Sequence, residues 1–128
     1  MSREVGGAIV LIGIDHVQLA APPGGEDAAR DYYVGLLGMV ELTKPPQLAA
    51  RGGCWFSGGG AVIHIGIEES FRPARKAHPG LLVADLDALA ATLTGRGLSV
   101  RWDETIPGRR RFHSEDPHGN RLEFIAGS

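Results

Sequence analysis

The chain contains a single cysteine, Cys54. That excludes an intrachain disulfide framework and fits a reducing, cytoplasmic setting. It carries little net charge, −2 at neutral pH, so no global field favours nucleic acid or an anionic membrane surface. It has no long hydrophobic run. The apolar stretch Ala8 to Ile14 is too short to span a bilayer and leads straight into Asp15-His16. Met1 to Gly7 lacks a basic region followed by a signal-type apolar segment. Low-complexity tails and a second domain are also missing, and 128 residues suit one domain spanning 1–128. What is present is a 43% hydrophobic fraction, enough for a core, with 19 glycines and 8 prolines, as short strands joined by tight turns require.

Four residues stand out: His16, His64, His78 and Glu123. Each lies in or at the start of a short apolar run that reads as a strand. The runs are Ile14 to Leu19, Ala61 to Ile67, His78 to Val83 and Arg121 to Ile125. The separation of His16 from His78, 62 positions, nearly equals the 59 between His64 and Glu123. A chain that repeats itself and puts an imidazole or carboxylate at matching points suggests two similar modules facing one another around a metal.

The order of elements repeats as well. Residues 9–20 read as a strand, Pro22 to Gly25 as a breaker, and Glu26-Asp27 as the acidic first turn of a helix. Ala29, Tyr32, Tyr33, Leu36 and Leu37 share a helical face, and Gly38 caps it. Met39 to Leu42, Cys54 to Phe56 and Ala61 to Ile67 read as strands, with a loop from Lys44-Pro45-Pro46. After a basic connector, Phe71 to Ala77, the order recurs: strand His78 to Val83, then a helix capped by Asp85 and running to about Gly95. Strands Leu98 to Trp102, Arg109 to Ser114 and Arg121 to Ala126 follow. Module 1 covers about 9–70 and module 2 about 77–126.

Tyr32-Tyr33-Val34-Gly35-Leu36-Leu37-Gly38-Met39 resembles the end of the first helix of the vicinal oxygen chelate superfamily, the glyoxalase/bleomycin resistance protein/dioxygenase group. Asp116-Pro117-His118-Gly119-Asn120-Arg121-Leu122-Glu123-Phe124 resembles its last turn and strand, and Ile14-Asp15-His16-Val17 its first strand. The resemblance runs from about residue 12 to 126. It implies an α+β fold of two βαβββ modules whose curled mixed sheets form an open cup. It also implies a homodimer and a divalent metal (Zn, Ni, Co, Mn or Fe(II)) held by His16, His64, His78 and Glu123. The cup is built within one chain in some members and across two in others.

The activity this implies is a glyoxalase-like, lyase- or isomerase-type proton transfer. The ion acts as Lewis acid on two neighbouring oxygens of a small substrate, and Glu123 moves the proton. His64 stands where the usual glyoxalase I pattern has glutamate. Extradiol-type Fe(II) dioxygenases use two histidines and a carboxylate, matching His16, His78 and Glu123. Bleomycin-sequestering members use the same cup for metal-free binding. All three readings remain open at this point.

Alternation along strands puts Ile14, His16 and Gln18 on one face, and Val62, His64 and Gly66 on another. Gln18 is a candidate substrate contact. Gly66 and Gly80, two residues from His64 and His78, leave room for a ligand. His113 and Arg111 share a face on the strand expected beside the last one. Both are candidates to line the cup and contact substrate, with His113 as acid or base. Asp116 reads as a turn residue, His118 as solvent-facing, Arg72, Arg75 and Lys76 as a solvated connector, and Cys54 as a core thiol.

Overall fold

The computed structural model describes residues 6–127. In chain order they form β1 (Val17–Ala21), α1 (Glu26–Arg30), β2 (Val40–Leu42), α2 (Pro46–Ala49), β3 (Cys54–Gly58) and β4 (Ala61–Ile67). Then follow β5 (Gly80–Val83), α3 (Leu86–Gly95), β6 (Arg101–Trp102), β7 (Arg111–Glu115) and β8 (Arg121–Ala126). Two mixed four-stranded sheets result, ordered β1-β4-β3-β2 and β5-β8-β7-β6. The second repeats the topology of the first, which is the expected α+β pair of βαβββ modules. Neither sheet closes on itself, so β1 and β5 are each left as an edge.

In each module the outer strand runs parallel to the last one: Val17 pairs with Ile63 in the first, Gly80 with Glu123 in the second. Leu19, Cys54, Phe56, Ile63 and Ile65 from one sheet, and Phe112, Leu122 and Phe124 from the other, share one buried cluster with Tyr33, Leu86 and Leu93. Period-two alternation then turns the residues between them to the opposite faces. These are Gln18, Trp55 and His64 on the first sheet, and Arg101, Arg111, His113, Arg121 and Glu123 on the second.

Local chemistry explains most boundaries. α1 runs on as a π-helix over Asp31–Leu36, with the Leu37 N–H donating to the Tyr32 carbonyl at 2.9 Å. The looser winding accompanies burial of two consecutive aromatics, Tyr32 and Tyr33. Gly38, at φ +75°, ends it as a left-handed cap. Asp85 caps α3 by accepting the Ala88 N–H at 3.0 Å.

The structure corrects several expectations. The run 9–20 is strand only from Val17; Ile9, Val10, Leu11, Ile12 and Ile14 are exposed, because β1 pairs with β4 through Val17–Ala21 alone. The Pro45-Pro46 segment is a short helix with Pro46 in its first turn, where a missing N–H costs nothing. His118 does not face solvent: its Nε2–H donates to the Gly25 carbonyl at 2.9 Å, and the ring fills the space a Cβ on Gly25 would take.

The last turn locks the modules together. Asp116, 4% exposed, accepts the Tyr33 hydroxyl at 2.8 Å, the His118 and Asn120 N–H groups at 2.9 and 3.0 Å, and the Asn120 amide at 3.0 Å. Asn120 in turn donates to the Ala20 carbonyl on β1 at 2.8 Å and accepts the Ala74 N–H at 3.0 Å. Asp116 is therefore more than the turn residue its context suggests.

Cys54 is buried on β3, and that burial pushes its thiol up to about 11. At pH 8 the native protein is expected to react with a disulfide reagent about a hundredfold more slowly than the denatured chain, since it holds that much less thiolate. The rate should climb as pH approaches the thiol's value. Equal native and denatured rates would remove Cys54 from the core.

Candidate metal centre

β8 and β5 bring two of the expected ligands together. Gly80 opposes Glu123 in register, and His78, two residues earlier, turns its ring over that edge. His78 Nε2 lies 3.0 Å from Glu123 Oε1, and His78 Nδ1 lies 2.7 Å from the Lys76 carbonyl oxygen. β7 adds a third group. His113 opposes Glu123 across the antiparallel pair, and its ring meets that of His78 edge-on, centroids 5.6 Å apart. His78, His113 and Glu123 each offer a ligand atom within 4.8 Å of the others.

The remaining expected ligands lie apart. His16 and His64 join no such group among the described residues. They stack on one another, centroids 3.9 Å apart, and His64 also stacks on Trp55 at 4.2 Å. Burial and the neighbouring His16 lower the His64 pKa, which favours the neutral, ligand-competent imidazole. His16 Nδ1 pairs with Asp15 at 2.8 Å. His16 and His78 nevertheless line one groove of about 600 Å³ between the β1 and β5 edges. The room expected over Gly66 is taken by the Gln18 amide, which a Cβ there would meet at 2.7 Å. At Gly80 a Cβ would meet the Ile125 side chain at 3.3 Å, tighter than ordinary contact, and the Glu123 carboxylate at 3.9 Å, so the room expected there is narrow.

A polar web surrounds Glu123. Arg111 donates to Glu123 Oε2 at 2.8 Å, to the Thr105 hydroxyl at 2.9 Å, and pairs with Asp103 at 3.0 Å. Burial pushes the Glu123 carboxyl up, but the hydrogen bond and charge of Arg111 and the contact with His78 outweigh it and hold the group below its ordinary value. Asp103 also receives His113 Nε2–H at 3.1 Å. The hydroxyl and backbone N–H of Thr105 hold the Asp103 carboxyl well below the usual range. No motif flags Asp103 in the sequence; only the turn geometry that places it beneath His113 does.

The donor set fits a divalent ion. A carbonyl oxygen can only accept, so the Lys76 contact puts a hydrogen on His78 Nδ1. In the neutral ring Nε2 then presents a lone pair to a carboxylate oxygen 3.0 Å away. Two acceptors face each other unless a cation, proton or metal, stands between them. Two donors on one ion at ~2.1 Å and a right angle lie about 3 Å apart, and a backbone carbonyl on the far ring nitrogen is the usual support for a ligating histidine.

The model of the Glyoxalase/Bleomycin resistance protein/Dioxygenase superfamily matches residues 13–124, and the chain belongs to that superfamily. A glyoxalase family protein from Bacillus anthracis is 44% identical with a TM-score of 0.89, covering 95% of this chain and 100% of its own. The fosfomycin resistance protein FosX from Listeria monocytogenes, in complex with Mn(II) and 1S,2S-dihydroxypropylphosphonic acid, has a TM-score of 0.76 at 16% identity, covering 93% and 95%. Lactoylglutathione lyase from Agrobacterium tumefaciens has a TM-score of 0.63 at 19% identity, covering 87% and 92%. The latter two share the fold. No curated protein matches the chain. Among the described residues no helix is long and apolar enough to cross a membrane.

Proposed function

We propose that the chain is a divalent-metal enzyme of the lyase or isomerase type, acting on a small molecule that chelates through two neighbouring oxygens. The observation that carries it is His78, whose Nε2 faces the Glu123 carboxylate at 3.0 Å while its Nδ1 is fixed on a backbone carbonyl. His78 and Glu123 hold the ion, and His16, with His64 stacked on it, supplies the ligands of the other module. When bound, the ion supplies Lewis acidity toward the substrate oxygens. The Mn(II) of the FosX complex supports a divalent ion in this fold.

Glu123 is suited to anchoring more than to carrying a proton, because Arg111 pins its second oxygen. His113 is the better proton carrier. It is next to His78, and Asp103 orients it as a carboxylate orients a catalytic imidazole. Arg111 then acts by holding Glu123 and Asp103 rather than by touching substrate.

The functional unit is a homodimer: this chain's own His16 shares a groove with His78 but joins no ligand cluster with it, so His16 of a second copy completes the site. Two features support this: the exposed apolar run Ile9–Ile14 beside the open β1 edge, and Leu82 exposed on the open β5 edge. Elemental analysis of protein purified without chelator tests the centre. We expect about one divalent transition ion per chain, lost in His78→Ala and weakened in His16→Ala. Full loading of His78→Ala would refute the site. Wild type that takes up no ion after reconstitution would point to metal-free ligand binding.

A further inference from the structure

On the same face of the second sheet, beyond His113, lies a cleft of about 520 Å³ that includes Arg75, Arg101, His113, Glu115 and Arg121. Its charge balance is unusual. Glu115 is the direct cross-strand partner of Arg121, and such opposite charges normally pair. Here the Glu115 carboxylate is instead taken by both terminal nitrogens of Arg101. Among the described residues Arg121 forms no ion pair. Its Nη2 reaches only the Nδ1 of His113, at 3.4 Å, and its buried Nε has no partner. Among the described residues Arg75, exposed on the connector that borders the cleft, adds a second guanidinium in no ion pair. Three guanidinium groups thus meet one carboxylate.

A partly buried guanidinium without a counter-charge is costly, and forked guanidinium donors match an oxyanion. We propose that this cleft binds the oxyanion end, carboxylate or phosphoryl, of a small substrate whose other end reaches the metal centre. The proposal rests on the metal-centre reading for the second half only. His113 spans the two places: its Nδ1 edge faces Arg121 and its ring abuts His78. A substrate occupying both would lie along the His113 ring, its anionic group a few bonds from its chelating oxygens. Arg75 and Arg121 are then specificity determinants, and the Arg101–Glu115 pair sets the cleft's far wall.

The test is a calorimetric titration of inorganic phosphate, and separately of malonate, into the full chain stripped of metal by chelator, so that no ion can hold the anion. Saturable binding is expected for at least one of them. It should be weakened about tenfold by Arg75→Ala, weakened further by Arg121→Gln, and left unchanged by Arg96→Ala at the end of α3. The tighter of the two anions names the class. If Arg121→Gln does not fold, Arg75→Ala, at an exposed position, carries the test alone. Absence of saturable binding of both anions, or equal affinity in wild type and Arg75→Ala, overturns the proposal. Metal stoichiometry is read separately, so an empty cleft beside a loaded metal centre refutes the cleft alone, and the converse refutes the centre alone.

Discussion

Replacing Asp116 by alanine is expected to lower the stability of the fold by about 3–5 kcal/mol, much of what a domain of this size has to lose. The reason is the number of donors left behind. The Tyr33 hydroxyl, two backbone N–H groups and the Asn120 amide all end on this one buried carboxylate. Alanine removes the acceptor, and a single water in its place, with two lone pairs, cannot accept from all four donors. The loss also spreads. Asn120, held by Asp116, bridges β1 through Ala20 and the inter-module connector through Ala74. The companion change Tyr33→Phe removes one hydrogen bond and should cost about 1–2 kcal/mol. Urea denaturation of both variants and their double mutant measures the coupling. A loss under about 1 kcal/mol for Asp116→Ala would return the residue to the rank of an ordinary turn former.

The sequence made most of the frame legible where one local rule dominated. Alternation in Ala61 to Ile67 and Arg121 to Ala126, and the Asp85 cap, match the structure because each is decided by neighbours in the chain. Alternation gave Arg111 and His113 a common face, and the β7–β8 register sets that face on the Glu123 side. What escaped were features decided by distant partners. Ile9–Ile14 reads as strand from its composition, but a strand needs a neighbour, and the chain pairs only Val17–Ala21. Asp116 and His118 sit in a turn-like context, and only the approach of Tyr33 and Gly25 shows that they are structural anchors. The space over Gly66 looked open because period two says nothing of the long Gln18 side chain on the next strand. Asp103 has no signature; its place under His113 and Arg111 follows from the loop after β6.

Glu123→Gln is expected to reduce metal affinity by at least about a hundredfold while leaving the fold intact. The amide keeps the shape of the side chain and can still accept from Arg111, so packing on β8 is preserved. What it loses is the negative charge, and with it the best oxygen donor to a divalent ion. Arg111→Met should cost metal affinity about ten- to a hundredfold by freeing the Oε2 that Arg111 now holds at 2.8 Å. Metal titration by equilibrium dialysis measures both, with circular dichroism as the fold control. The result also separates two roles for the carboxylate. An anchor gives up the ion when its charge is removed. A proton carrier that is not needed for binding keeps the ion and loses only turnover. A Glu123→Gln chain that stays fully loaded and loses turnover would therefore transfer the proton-carrying role from His113 to Glu123, and the Arg111 clamp would then have to open during the reaction.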